Sequence, residues 1–152
     1  MGIEWKCQTF DELTVRELYA ILRLRSEVFV VEQGCVFLDT DNKDQRCRHI
    51  TGWKNDQLIG YTRLVPPGLA YSEPSIGRVV TAPLARRTGL GKELMLFSIQ
   101  MLFDVFGKKP IKIGAQLYLK KFYESLGFHQ ISEVYSEDGI DHIEMLFPIL
   151  EN

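Results

Sequence analysis

The chain has 152 residues, 45% of them hydrophobic and 25% charged, with a formal net charge of −2. This is enough for a real core in one domain over residues 1–152, and so balanced a charge argues against nucleic acid as a partner. No apolar run is long enough for a bilayer and no signal peptide precedes it, so a membrane is not expected. Cys7, Cys35 and Cys47 are odd in number and unevenly spaced, which suits reduced thiols in a cytoplasmic protein.

In chain order, residues 3–7 read as a first strand. Thr9 or Asp11 can cap a helix whose apolar period runs through Leu13, Leu18, Ile21, Leu22, Leu24 and Val28 and stops near Gly34. Residues 35–48 form a polar connection with Asp39, Asp41 and Asp44. Calcium is argued against there, because Lys43 breaks the ligand alternation and Ile50 stands where the closing Glu belongs. Cys35, Cys47 and His49 do not have zinc spacing, and no metal is expected. Residues 49–53 and 58–65 alternate as strands around the turn signal Asn55-Asp56.

A short β-branched strand lies between Pro74 and Pro83. A loop with Arg86, Arg87, Gly89 and Gly91 follows, and then a helix with period Leu90, Leu94, Phe97, Met101, Val105, closed at Gly107. A glycine-bearing turn that opens a helix leaves backbone N–H groups unpaired and is a natural anion site. It is not a Walker loop, because Arg86 replaces the first glycine and Glu93 the Ser or Thr. It is not a dinucleotide fingerprint either, because Leu94 stands at the third glycine. Residues 111–115 form a fifth strand. Leu119, Phe122, Tyr123 and Leu126 share a short helix face ending at Gly127, and residues 128–135 and 140–147 make a last hairpin around Asp138-Gly139. The order βαββ, βα, βα, ββ predicts an α/β protein with a mixed sheet covered by helices.

Arg86-x-x-Gly89-x-Gly91 directly after a strand resembles the coenzyme A pyrophosphate loop of the GNAT N-acetyltransferases. Ala115-Gln116 followed by Phe122-Tyr123-Glu124-Ser125-Leu126-Gly127-Phe128 is similar to that family's strand, Asn, short helix and Tyr-Glu-x-x-Gly-Phe, with Gln116 in the place of Asn. The stretches Leu24-Arg25-Ser26-Glu27-Val28-Phe29-Val30-Val31-Glu32-Gln33, Arg48-His49-Ile50, Ile76-Gly77-Arg78-Val79, Gly114-Ala115-Gln116 and Glu133-Val134-Tyr135-Ser136-Glu137-Asp138-Gly139-Ile140-Asp141-His142-Ile143 look like the ElaA-type branch. The resemblance implies a mostly antiparallel sheet of about seven strands, splayed between the fourth and fifth. It also implies acetyl-CoA as cosubstrate, with direct transfer to a primary amine, of a small molecule or a peptide, in a ternary complex. Dimers are common among such domains.

The resemblance assigns roles as well. Arg86, Arg87, Thr88, Gly89, Leu90, Gly91 and Lys92 would hold the pyrophosphate. Val79 and Val80 would pair with the pantetheine like an added strand, and Gln116 and Phe122 would complete the coenzyme site. Tyr123 matches the family's usual acid, although its periodicity alone fits a core tyrosine. Glu32 and His142 are the candidate bases, against the plainer alternatives of a solvated helix-end carboxylate and a hairpin residue bonded to backbone. Glu32, Arg25, His49 and Arg78 are candidates for the acceptor side. The arginines in apolar patterns, Arg63 among them, could equally pair with Asp residues structurally. Two other readings stay open: a non-catalytic acyl-CoA-binding or sensing module, and an acyl-homoserine-lactone-synthase-like acyltransferase.

Overall fold

The structure is a computed structural model that describes residues 2–150. Its first half is a four-stranded antiparallel sheet in chain order: β1 (Glu4–Thr9), β2 (Arg48–Lys54), β3 (Gln57–Val65) and β4 (Ser75–Thr81). The second half is β5 (Ile111–Gln116), β6 (His129–Gln130), β7 (Tyr135–Glu137) and β8 (Ile140–Phe147), with β8 paired to each of the other three. Helices α1 (Val15–Arg25), α2 (Leu90–Phe106) and α3 (Lys120–Ser125) complete the expected mixed α/β fold. Among the described residues no helix is long and apolar enough to cross a membrane.

Among the described residues eight strands stand where about seven were expected, because residues 128–135 are broken in two. Between the pairs Gln130–Met145 and Tyr135–His142 lie four residues of that arm but only two of β8. Ser132 fills the gap, its Oγ accepting the Glu144 N–H at 2.8 Å. The first helix also starts later than expected. Thr9 caps a single 3-10 turn, and Thr14 caps α1 in a capping box with Glu17. Beyond Arg25 the helix widens into a π-helical stretch, Ser26–Glu32, closed by Gln33 N–H to Val28 O at 3.1 Å.

Strand β3 organises the core, since its alternation sends successive side chains to opposite layers. Thr62 and Leu64 face α2, where Thr62 meets Ser98 at 2.7 Å and Leu64 packs with Leu94, Met95 and Leu102. Tyr61 faces α1 and packs with Ile21, Leu24, Val28 and Val80. Each such buried aliphatic side chain contributes about 1.5–3 kcal/mol. The two half-sheets touch at the beginnings of β4 and β5, where Lys112 N–H donates to Pro74 O at 3.1 Å. Beyond that contact no strand pairing joins β4 to β5.

Candidate active site: the cleft between the two half-sheets

The separation of β4 from β5 opens a cavity of about 520 Å³. β4 enters it with a bulge: Tyr61 pairs with Val80 and Arg63 with Gly77, so one residue of β3, Thr62, lies opposite two of β4, Arg78 and Val79. Arg78 takes up the slack in a left-handed conformation, φ 49°. That conformation costs a non-glycine residue free energy, and here ion pairing offsets it. Arg78 Nη2 donates to Asp39 O at 3.0 Å, and its Nε approaches Asp39 Oδ1 at 2.8 Å, at an angle too oblique for a hydrogen bond. The extra residue leaves Arg78 and Val79 outside the ladder, on the cavity wall together with Val80.

One end of the cavity is closed by the loop before α2. Gly89 is the N-cap at φ 81°, with no side chain to cap the helix, and Arg87 is also left-handed, at φ 64°. Arg86, Arg87, Thr88, Gly89 and Lys92 are exposed, so the helix start is not covered by packed side chains. Arg86 and Gly91 border the cavity. A Cβ on Gly91 would lie 3.6 Å from Phe122 Cζ, which marks a close approach of this turn to α3. Thr88 and Leu90 border a second hollow of about 850 Å³ behind the loop, and Leu90 is itself buried. Thr88 Oγ1 donates to Ala85 O at 2.7 Å and so ties the loop to itself. Arg86 is not free: it grips Glu32 in a two-pronged pair of 2.6 and 3.0 Å. That pair holds the Glu32 carboxyl below its ordinary pKa.

The cavity lining also includes Gln116, Phe122, Tyr123 and His142. Tyr123 is 5% exposed and packs edge-on against Phe122 and Phe128. Burial pushes its pKa well above the tyrosine range, so it keeps its proton. His142 is 8% exposed, with Nδ1 2.7 Å from Ile140 O. A carbonyl oxygen only accepts, so Nδ1 carries the hydrogen and the neutral ring keeps its lone pair on Nε2. Glu137 Oε2 stands 3.5 Å from that nitrogen.

Two residues expected on the acceptor side lie elsewhere. Arg25 is fully buried and bonds Asp39 Oδ2 and Asp44 Oδ1 at 2.8 Å each, and Asp39 O at 3.0 Å. His49 is also fully buried. Its Nε2 lies 2.9 Å from Asp44 O and its Nδ1 2.7 Å from the Tyr61 hydroxyl, so both nitrogens are committed, and burial lowers its pKa. Arg63 completes the cluster with Asp41 and Asp44. The three aspartates of the 35–48 connection thus serve three arginines. Arg78 does border the cavity, but its charge is already paired.

Several wall residues had no sequence signal. Gln33 accepts a hydrogen bond from Gln116 Nε2 at 3.3 Å across 83 residues of chain. Cys35 Sγ lies 3.3 Å from Asp138 O, and Glu137 and Asp138 project from the β7–β8 turn onto the same cavity. The acidic pair could have been noticed in the sequence, but a hairpin tip is usually solvated.

A family model described as "Acetyltransferase (GNAT) domain" matches residues 31–147. Protein ElaA of Escherichia coli is 41% identical over 98% of this chain and 99% of its own. A UPF0039 protein of Synechocystis is 39% identical over 100% and 99%. The crystal structure of Escherichia coli ElaA superposes with a TM-score of 0.89 at 42% identity, covering 95% of this chain and 98% of that one. An acyl-CoA N-acyltransferase from Pseudomonas aeruginosa superposes at 0.91 with 39% identity, covering 95% and 99%. With both motifs in place, the bulged strand beside a splayed one and full-length relatives of this kind, the chain belongs to the GNAT acetyltransferase family, in the group that contains ElaA.

Proposed function

We propose that this protein is an acetyl-CoA-dependent N-acetyltransferase that transfers the acetyl group directly to the primary amine of a cationic acceptor. The observation that carries this most is the convergence on one cavity of an exposed helix start, a protonated Tyr123 and a lone-pair-bearing His142 Nε2. The residues present fit the coenzyme, since the Gly89 turn leaves main-chain amides open to a diphosphate and no side chain fills the space above Gly89.

Bound acetyl-CoA supplies an activated thioester carbonyl, whose C–S bond breaks as the amine N–C bond forms. Gly89, Leu90 and Gly91 offer N–H groups to the diphosphate, with Arg87 and Lys92 adding full charge. Thr88 braces the loop. Val79 and Val80 would flank the pantetheine as the neighbouring strand, and an N–H at the bulge would stabilise negative charge developing on the thioester oxygen. Gln116, held by Gln33, keeps its amide oxygen for the pantetheine arm, and Phe122 packs alongside. His142 Nε2 takes the proton of the amine nitrogen, and Glu137 is placed to accept a hydrogen bond from the imidazolium. Tyr123 gives its hydroxyl proton to the departing sulfur.

The cationic acceptor follows from the wall charges. Arg78 and Arg86 are both paired, whereas among the described residues Asp138 has no cationic partner and Glu137 has only His142. Release of free thiol from acetyl-CoA, followed with 1,4-diaminobutane, 4-amino-1-butanol and 4-aminobutanoate, tests this. The diamine should react fastest and the amino acid slowest. Coenzyme binding without thiol release on any amine would favour the non-catalytic module, and preference for a long acyl donor would overturn acetyl specificity.

A further inference from the structure

The Glu32–Arg86 pair joins the end of the π-helical stretch to the loop before α2, and both residues border the cavity. It joins groups 54 residues apart and engages both carboxylate oxygens. Arg86 is also the first residue of the anion loop, so a diphosphate seated there competes with Glu32 for the same guanidinium. Diphosphate is the stronger competitor. It carries more charge, and it gains the helix-start amides that Glu32 does not use.

Building on the acyltransferase reading above, we propose that coenzyme binding takes Arg86 from Glu32 and thereby frees the Glu32 carboxylate to hold the ammonium group of the acceptor, so that the acceptor site is completed only on the loaded enzyme. Before loading, Glu32 is neutralised by Arg86, and the negative charge on the wall is that of Glu137 and Asp138. After loading, Arg86 is satisfied by the diphosphate, and Glu32 joins Glu137 and Asp138 on the cavity wall. The coupling is thermodynamic. Whatever the coenzyme gains in acceptor affinity by releasing Glu32, the acceptor returns to the coenzyme. Glu32 here is a positioning group for the amine, and proton removal stays with His142.

The test is equilibrium titration of wild type, Glu32→Gln, Arg86→Gln and the double variant. The probes are coenzyme A, pantetheine (which lacks the diphosphate) and 1,4-diaminobutane. Without its competitor, Arg86 in Glu32→Gln should bind coenzyme A roughly two- to fivefold more tightly. Pantetheine affinity should not change, and the gain should vanish when Arg86→Gln is the background. Diaminobutane should bind wild type at least about fivefold more tightly when coenzyme A is saturating, and Glu32→Gln should lose that difference. Equal or weaker coenzyme A binding by Glu32→Gln overturns the exchange. Diamine binding that is undetectable on the loaded wild type, or unaffected by coenzyme A, overturns the hand-over. If wild type itself fails to bind coenzyme A, the acyltransferase reading fails instead, so the two failures are distinguishable.

Discussion

Replacing Arg25 by Leu separates a structural arginine from a substrate-binding one. Arg25, Arg63 and Arg78 are matched against Asp39, Asp41 and Asp44 in one cluster, and the change removes one positive charge and three hydrogen bonds from it. Breaking a buried pair on one side costs about 3–5 kcal/mol. Arg78 still holds Asp39 and Arg63 still holds Asp44, which argues for the lower end. At about 2–4 °C per kcal/mol for a chain of this length, a loss of about 3 kcal/mol lowers Tm by about 6–12 °C. Thermal and urea unfolding measure it, and the urea slope should stay constant. Adding Asp44→Asn restores neutrality and should recover part of the loss. A Tm within about 2 °C of wild type, or an acceptor KM raised more than tenfold at unchanged stability, would refute this account and return Arg25 to the substrate.

Tyr123→Phe should lower kcat by roughly 10²–10⁴-fold while leaving coenzyme A affinity near wild type in a titration, and unchanged turnover would remove the hydroxyl from proton transfer. Gly89→Ala should weaken coenzyme A binding and cost about 1 kcal/mol, through the backbone alone. The φ of 81° disfavours any Cβ, although one placed there meets nothing within 4 Å. The acid limb of stability follows from the cluster. Burial alone would raise the Asp41 and Asp44 carboxyls, but hydrogen bonds and charge from Arg63 and Arg25 outweigh it and lower both from the ordinary 3.8. A lowered folded-state pKa contributes stability that is present above the unfolded value and lost as pH falls through the folded one. Urea midpoints should therefore hold from about pH 7 to 5 and drop below about pH 4. Stability that rises on acidification would contradict this.

Most of the architecture was legible along the chain, since strands such as residues 58–65 alternate and α2 keeps one apolar face. Errors fell where local pattern and tertiary pairing disagree. The apolar period through Val28 reads as continuous helix, yet the backbone widens after Arg25, because periodicity over a few residues does not separate one helical winding from another. Residues 128–135 read as one strand, yet Ser132 bonds Glu144 and splits the arm. The left-handed Arg78 had no signal at all, as nothing in its type asks for that conformation.

The sequence by itself determined the glycine-opened helix start, the Tyr123 motif and the order of elements, because these depend on residues within a turn or two of each other. Only the tertiary structure decided which charges face the cavity. Arg25 and His49 went into the interior and Glu32 onto Arg86, through partners between 5 and 54 residues away. Partners so far apart in the chain are chosen by strand register and helix docking. The same residue type can therefore brace a loop or face a substrate, and local sequence does not distinguish the two.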